Sequence, residues 1–267
     1  MSSFQPEIVN KSMNMEVKGK MKWGRNITFG PNCKNINIGY GCFIGDDLYI
    51  DVEDLEIGDY FTIHHGSVIH GKKCIIGHNV WIGHYCILDA FGGLLKLGNN
   101  VGVGAHSQLW SHMKFGDRLA GCRWFKMEEL VVGDGAWFVG HCIVAPIVVE
   151  PQAMLMLGGL AVKDMKENHI YSGSPAQDVT DKMGYQFKDI TLKEKETLFS
   201  GYLDEYRDRG NDISFVKITT DLKHGDSPEK TYFNIESQEY IPRYTDGERK
   251  FMKFLLYDRA KFIPVEM

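Results

Sequence analysis

The sequence is short of several things, and each shortage excludes a class of protein. Its 267 residues contain no uninterrupted apolar run approaching ~18 residues, the length a helix needs to cross a bilayer, so no membrane span is expected. Lys and Arg together (30) do not exceed Asp and Glu (35), and the net charge of −5 offers none of the basic stripe that holds nucleic acid. No Cys-x-x-Cys pair occurs; Cys33, Cys42, Cys74, Cys86, Cys122 and Cys142 stand apart. They read as reduced thiols of a cytoplasmic protein, filling small apolar positions. The opening residues, MSSFQPEIVNKSMNMEV, lack the charged start and apolar core of a secretory signal, and a cytoplasmic location is the expectation. Apolar residues are not scarce. At 43% they are too many for a disordered chain and suffice for a large core.

What is present is a period of six. An aliphatic residue followed by Gly, Asp or another small or polar residue recurs as Ile38-Gly39, Ile44-Gly45 and Ile50-Asp51. After a one-residue slip come Ile57-Gly58, Ile63-His64 and Ile69-His70, and after another Ile76-Gly77, Ile82-Gly83 and Leu88-Asp89. The series resumes at Leu97-Gly98, Val103-Gly104 and Leu109, then at Val132-Gly133, Phe138, Val144, Val149 and Leu155. A helix of 3.6 residues per turn would scatter these positions around its axis, and a simple strand would alternate every two. Six residues suit a short strand plus a tight turn, one flat side of a coil. Three sides make a coil, and coils stack at the ~4.8 Å strand spacing. Each coil buries its apolar face only against its neighbours.

Two interruptions break the period. The first, residues 90–96 (AFGGLLK), is short; the second, about 113–130 (MKFGDRLAGCRWFKMEEL), is long enough to leave the coil. Long loops in compact domains are commonly functional, and Trp124 and Phe125 suit this one to an ordered lid or wall. Residues 1–34 read as a lead-in or cap and 35–183 as the solenoid. Residues 184–267 read as a small α+β extension. In it, Thr191-Leu-Lys-Glu194 forms a capping box for a helix to about Arg209, and residues 213–218 and 231–235 read as strands. Thr245 opens a last helix with Phe251, Phe254 and Leu255 on one face.

Three blocks in order carry a family resemblance: CILDAFGGLLKLGNNVGVGAHSQLWSH (86–112), VVGDGAWFVGHCIVAP (131–146) and LAVKDMKENHIYSGSPAQDV (160–179). Over roughly residues 35–180 the chain resembles the hexapeptide-repeat acyltransferases, within them the maltose, galactoside and nodulation-factor O-acetyltransferases. The resemblance implies a left-handed parallel β-helix, acetyl-coenzyme A as co-substrate, a sugar or glycan hydroxyl as acceptor, no metal, and a homotrimer whose active sites lie between subunits. Gln177 departs from the pattern, standing where those proteins carry a basic residue; Lys163 is kept and Lys182 lies close by.

The resemblance puts His112 at the position of the catalytic base, and the chemistry agrees. An attacking hydroxyl must lose its proton, and a neutral imidazole is the side chain poised to take it near pH 7. His106, one repeat earlier, is the alternative. Asp89 falls at the acceptor-binding carboxylate, where it would hold two sugar hydroxyls, with His84 and Tyr85 nearby and Trp124 as a ring to stack on. Asp117, Glu128 and Glu129 are the loop carboxylates that could steady the imidazolium, and a backbone N–H of the Val139–Gly140 turn could serve as oxyanion donor. For the coenzyme, the small residues Gly140, Gly158 and Gly159 permit close approach, Lys163 meets the phosphates, and Ser174 and Pro175 line the adenine end.

Two readings from other classes compete. The stretch 62–89 is similar to the metal-ligand block of the γ-class carbonic anhydrases, with His70 and His84 at two ligand positions and Asp89 at the third. Two imidazoles and a carboxylate can hold zinc with an open position. The other alternative is a non-catalytic scaffold whose working part is the C-terminal extension.

Overall fold

The computed structural model describes residues 4–222 and 227–265; residues 1–3, 223–226 and 266–267 lie outside the described residues. The chain divides into two compact units, Met1–Phe187 and Lys188–Met267. The first is a left-handed parallel β-helix of three-sided coils. Every aliphatic or aromatic residue of the six-residue series, from Ile38 to Leu155, points into it and is buried. Removing each such side chain from water contributes about 1.5–3 kcal/mol.

One side is a nine-stranded sheet. Lys22–Trp23, Phe43–Ile44, Thr62–Ile63, Trp81–Ile82, Gly102–Val103, Trp137–Phe138, Met154–Leu155 and Ile170–Gly173 pair in parallel. Ala176–Asp178 folds back antiparallel to close the stack. A twelve-stranded sheet holds the other two sides. The second side stacks residues 28–29, 49–50, 68–69, 87–88, 108–109, 143–144 and 160–161. The third stacks residues 14–17, 35–38, 54–57, 73–76, 94–97, 130–132 and 148–149. Three long strands, Tyr49–Ile57, Val68–Ile76 and Ile87–Leu97, turn the corner between these two sides within the ladder.

The slips in the period have a single place in the fold. Ile50 to Ile57, Ile69 to Ile76 and Leu88 to Leu97 all span the corner between the second and third sides, and both insertions leave from it. The other corners keep the strict repeat. Their turns place Asp47, Tyr85, His106 and His141 at positive φ of 50–60°, the left-handed region that Gly66 and Gly158 fill in other coils at no steric cost.

The coils begin earlier than residue 35. Glu7–Ile8 already pairs with Thr28–Phe29, Asn14–Val17 with Asn35–Ile38, and Lys22–Trp23 with Phe43–Ile44. The inward positions there are Ile8, Met13, Met15, Met21 and Trp23, packed against the core. Met and Trp fill the space that Ile, Val and Leu fill elsewhere, which hid the repeat. All six cysteines are free, five of them buried. Burial pushes the thiols of Cys33, Cys74, Cys86 and Cys142 up, so they act as small apolar groups rather than nucleophiles.

The second unit holds the expected capping box. Thr191 Oγ1 accepts from Glu194 N, and Thr191 N–H donates to Glu194 Oε2 at 2.9 Å, opening the helix Leu192–Asp208. Val216–Ile218, Thr231–Asn234, Glu239–Ile241 and Ile263–Pro264 form a four-stranded mixed sheet, and Thr245 caps the helix Asp246–Leu255. Phe199, Phe233, Tyr240, Phe251 and Phe262 make an aromatic core. The buried Glu248 is met by Thr231 Oγ1 and the backbone N–H groups of Arg243 and Tyr244.

Coils stack so closely at the turns that glycine is required by space alone. A Cβ on Gly104 would stand 1.9 Å from the Val139 carbonyl oxygen. Gly104→Ala is therefore expected to lower the unfolding free energy by about 1–3 kcal/mol, the usual cost of overpacking. The urea midpoint reads this; an unchanged midpoint would contradict the stacking.

Candidate active site at one corner of the coil

Coils of 19 residues set Asp51, His70 and Asp89 directly in register at the corner between the second and third sides. The next coil leaves the ladder there after Gln108–Leu109. Its excursion is a hairpin, His112–Lys114 antiparallel to Phe125–Met127. Lys126 Nζ ties the hairpin to the following coil through the Pro146 carbonyl at 2.7 Å. Gly92 allows the hairpin base to close on the corner, since a Cβ there would lie 1.9 Å from the Ser111 carbonyl oxygen.

His112 opens the hairpin, and its Nδ1 lies 2.7 Å from Asp89 Oδ1. Asp89 is 0% exposed and the His112 side chain 18%. Ser111 gives Asp89 Oδ1 two further donors, its N–H at 3.2 Å and its hydroxyl at 3.0 Å, while the Gly92 N–H donates to that hydroxyl at 2.7 Å. Three donors on one oxygen are what a buried carboxylate needs. They leave His112 Nδ1 facing an acceptor, so the ring proton belongs on Nδ1 and the Nε2 lone pair is left to act. Nε2 has no hydrogen-bond partner among the described residues. Phe91 and Trp110 stand edge-on to the ring at 5.6 Å and 5.9 Å and limit its movement.

This geometry departs from the sequence expectation at two points. Asp89 was expected at the acceptor, yet it is sealed under the corner and touches His112. The three loop carboxylates considered as partners of His112 are engaged otherwise or exposed. Asp117 accepts from Leu119 N and Ala120 N, Glu128 pairs with Lys126 at 2.9 Å, and Glu129 is exposed. Trp124 is on the hairpin as anticipated, 81% exposed, and lines an open apolar hollow with Met113, Lys114, Phe115 and Gly116. Phe115 and Leu119 are wholly exposed beside it. Lys163 belongs to the same corner, set by the Val144–Ala161 register opposite Pro146.

The remaining predicted residues gather elsewhere. His84, Tyr85, Gly140, Gly158 and Gly159 occupy the corner between the first and second sides, at the far end of the second side from His112. His106, the alternative base, is there too, stacked between Tyr85 at 5.3 Å and His141 at 4.7 Å. Ser174 and Pro175 form the turn of the closing hairpin. Within one chain His84 does not meet His70 and Asp89, so the three-ligand metal set is not assembled. Among the described residues no group of three His, Cys, Asp or Glu is arranged to hold a metal ion, and no helix is long and apolar enough to cross a membrane.

No family model matches the chain. The curated bifunctional protein GlmU of Pseudoalteromonas atlantica is 25% identical over 180 residues, 61% of this chain and 36% of that protein. The bifunctional protein GlmU of Paraburkholderia xenovorans is 23% identical over 195 residues, 66% of this chain and 39% of that protein. The chain thus spans under two fifths of the length of these curated relatives. Among solved structures, the polysialic acid O-acetyltransferase OatWY overlaps 73% of this chain and 97% of its own at 14% identity and a TM-score of 0.49. The polySia-specific acetyltransferase NeuO overlaps 78% and 99% at 14% identity and 0.45. A maltose O-acetyltransferase from Clostridium difficile 630 overlaps 52% and 68% at 17% identity and 0.32. The fold rests on the coils themselves, a hexapeptide-repeat left-handed β-helix.

The imidazole-rich corner also sets an acid limit on the fold. Burial, then the charges of His84 and His65, hold His64 below its ordinary value; burial, then His65 and His106, do the same for His84. Both groups are neutral in folded and unfolded chains above about pH 6.5. Below that, the unfolded chain takes up protons that the folded corner resists, so stability falls as pH falls. The expected outcome is a urea midpoint that declines between about pH 7 and 5 and a shallower decline in a His64→Asn, His84→Asn double variant. An identical slope in the variant would contradict this.

Proposed function

We propose that this chain is an acetyl-coenzyme A-dependent O-acetyltransferase acting on a hydroxyl of a sugar or glycan, with His112 as general base. The observation that carries the proposal is the His112 ring, fixed through Nδ1 to the buried Asp89 and open at Nε2 beneath an exposed aromatic hairpin. Nε2 takes the proton of the acceptor hydroxyl as its oxygen attacks the thioester carbonyl. The carbon–sulfur bond then breaks, and the protonated imidazole returns the proton to the departing thiolate. Base catalysis of this kind contributes about 10²–10⁴-fold, and Asp89 balances the charge that forms on the ring.

Trp124 offers a face on which a sugar ring can lie, with Phe91 and Phe125 as further apolar surface. His84 and Tyr85 remain acceptor contacts, and Gly140, Gly158, Gly159, Lys163, Ser174 and Pro175 coenzyme contacts. His84, Tyr85, Gly140, Gly158 and Gly159 stand at the opposite end of the second side from His112, so a single chain cannot bring them and His112 to one substrate. A second copy laid beside the first can, and the outward residues Tyr49, Trp137, Ile143 and Val162 give the flanks apolar surface to bury. The assembly we infer is a homotrimer with three sites between subunits. Sedimentation at micromolar concentration is expected to give the mass of three chains; the mass of one chain would contradict a shared site.

His112→Ala is expected to lower kcat by about 10²–10⁴-fold while coenzyme A still binds by calorimetry. Asp89→Asn separates the two readings of that residue. As the group that orients His112, it should cost kcat by up to about 10⁴-fold, because the amide favours the wrong tautomer. As an acceptor contact, it would raise KM and spare kcat. Near-normal turnover in His112→Ala would overturn the mechanism.

A further inference from the structure

Asp89 has two oxygens, and the hydrogen bonds described above use only Oδ1. Oδ2 is equally shut off from solvent and has no hydrogen-bond partner of good geometry among the described residues. His70 Nε2 lies 3.3 Å from it on the preceding coil, itself buried and likewise without another partner. The two are in strand register, His70 opposite Asp89. Phe91 stands edge-on to His70 at 4.9 Å, and the same ring stands edge-on to His112. Two imidazoles thus flank one buried carboxylate, one at each oxygen, behind a shared aromatic wall.

We propose that His70 is a positioning residue: it donates Nε2–H to Asp89 Oδ2, holding the carboxylate plane so that Oδ1 stays directed at His112 Nδ1. This rests on the reading of His112 as the base and assigns a second imidazole to that site. A carboxylate with all donors on one oxygen is free to rock about its last side-chain bond, and a donor on the other oxygen stops it. A neutral imidazole suits the task better than Lys or Arg. A fixed cation at Oδ2 would absorb the charge that must balance the His112 imidazolium, whereas a neutral N–H directs the carboxylate and leaves that charge available. The other charged group in register with His70 is Asp51 on the coil before it. That carboxylate already accepts from Asn32 N and Asn32 Nδ2, both at 2.8 Å, so His70 is left to Asp89.

The test is the protonation pattern of the ring nitrogens, read by long-range ¹H–¹⁵N spectra of the full chain labelled at histidine, with no substrate present. In the wild type, His70 should carry its proton on Nε2 and His112 on Nδ1. His70→Ala should spread His112 between its two tautomers, collapsing the separation of its nitrogen signals. His70→Gln should restore that separation, because its amide N–H can reach Oδ2. A bare Nε2 on His70 in the wild type overturns the proposal without any variant. So does a His112 pattern in His70→Ala equal to that of the wild type. His70→Met, which fills the same space without a donor, should behave like His70→Ala; a separation restored by Met would be the mark of packing alone and counts against the proposal. Failure of the base assignment is a separate outcome, seen as acetyl transfer retained by His112→Ala.

Discussion

A carboxylate taken out of water costs several kcal/mol unless donors meet it, and Asp89 is such a carboxylate, placed at the corner where the coil opens. The hairpin base folds back over it, since Ser111 and His112 supply the donors on Oδ1. The need to satisfy Asp89 thus organises the site. It fixes the start of the hairpin, the face that His112 presents and the nitrogen that carries its proton. Gly92 follows from the same requirement, because any side chain there would hold Ser111 away.

The solenoid makes this arrangement rigid. Each coil repeats the one before it, so residues a coil apart are stacked by the ladder rather than by chance packing. His70 and Asp89 meet for that reason, as do Tyr85, His106 and His141 at the neighbouring corner. The same regularity limits what one chain can do. Corners do not approach each other within a coil, so groups on different corners join in one site only when copies pack side by side.

Much of this was legible in the sequence. Every aliphatic or aromatic residue that the six-residue period marks from Ile38 to Leu155 is buried, and the slips in that period mark the one irregular corner. The capping box at Thr191 and the side-chain cap of the last helix at Thr245 also stand where local chemistry puts them. The first coils were not legible, because Met13, Met15, Met21 and Trp23 replace the aliphatic signature while doing its work. The burial of Asp89 was not legible for a different reason. The period says which residues share a corner but not whether a polar one at the bend points outward or under it. Counting one 19-residue coil back from Asp89 does reach His70, so that pairing was available in the numbering even though burial was not.

We propose that acyl transfer takes place at His112, on the open side of the ring that Asp89 holds from beneath. A crystal structure of the assembly with coenzyme A bound tests it most directly. The expected result is the thiol sulfur beside His112 Nε2 at the base of the hairpin, with the rest of the coenzyme running along the coils toward Lys163. Coenzyme A ordered away from that corner, with its sulfur out of reach of any His112 ring in the assembly, would contradict it.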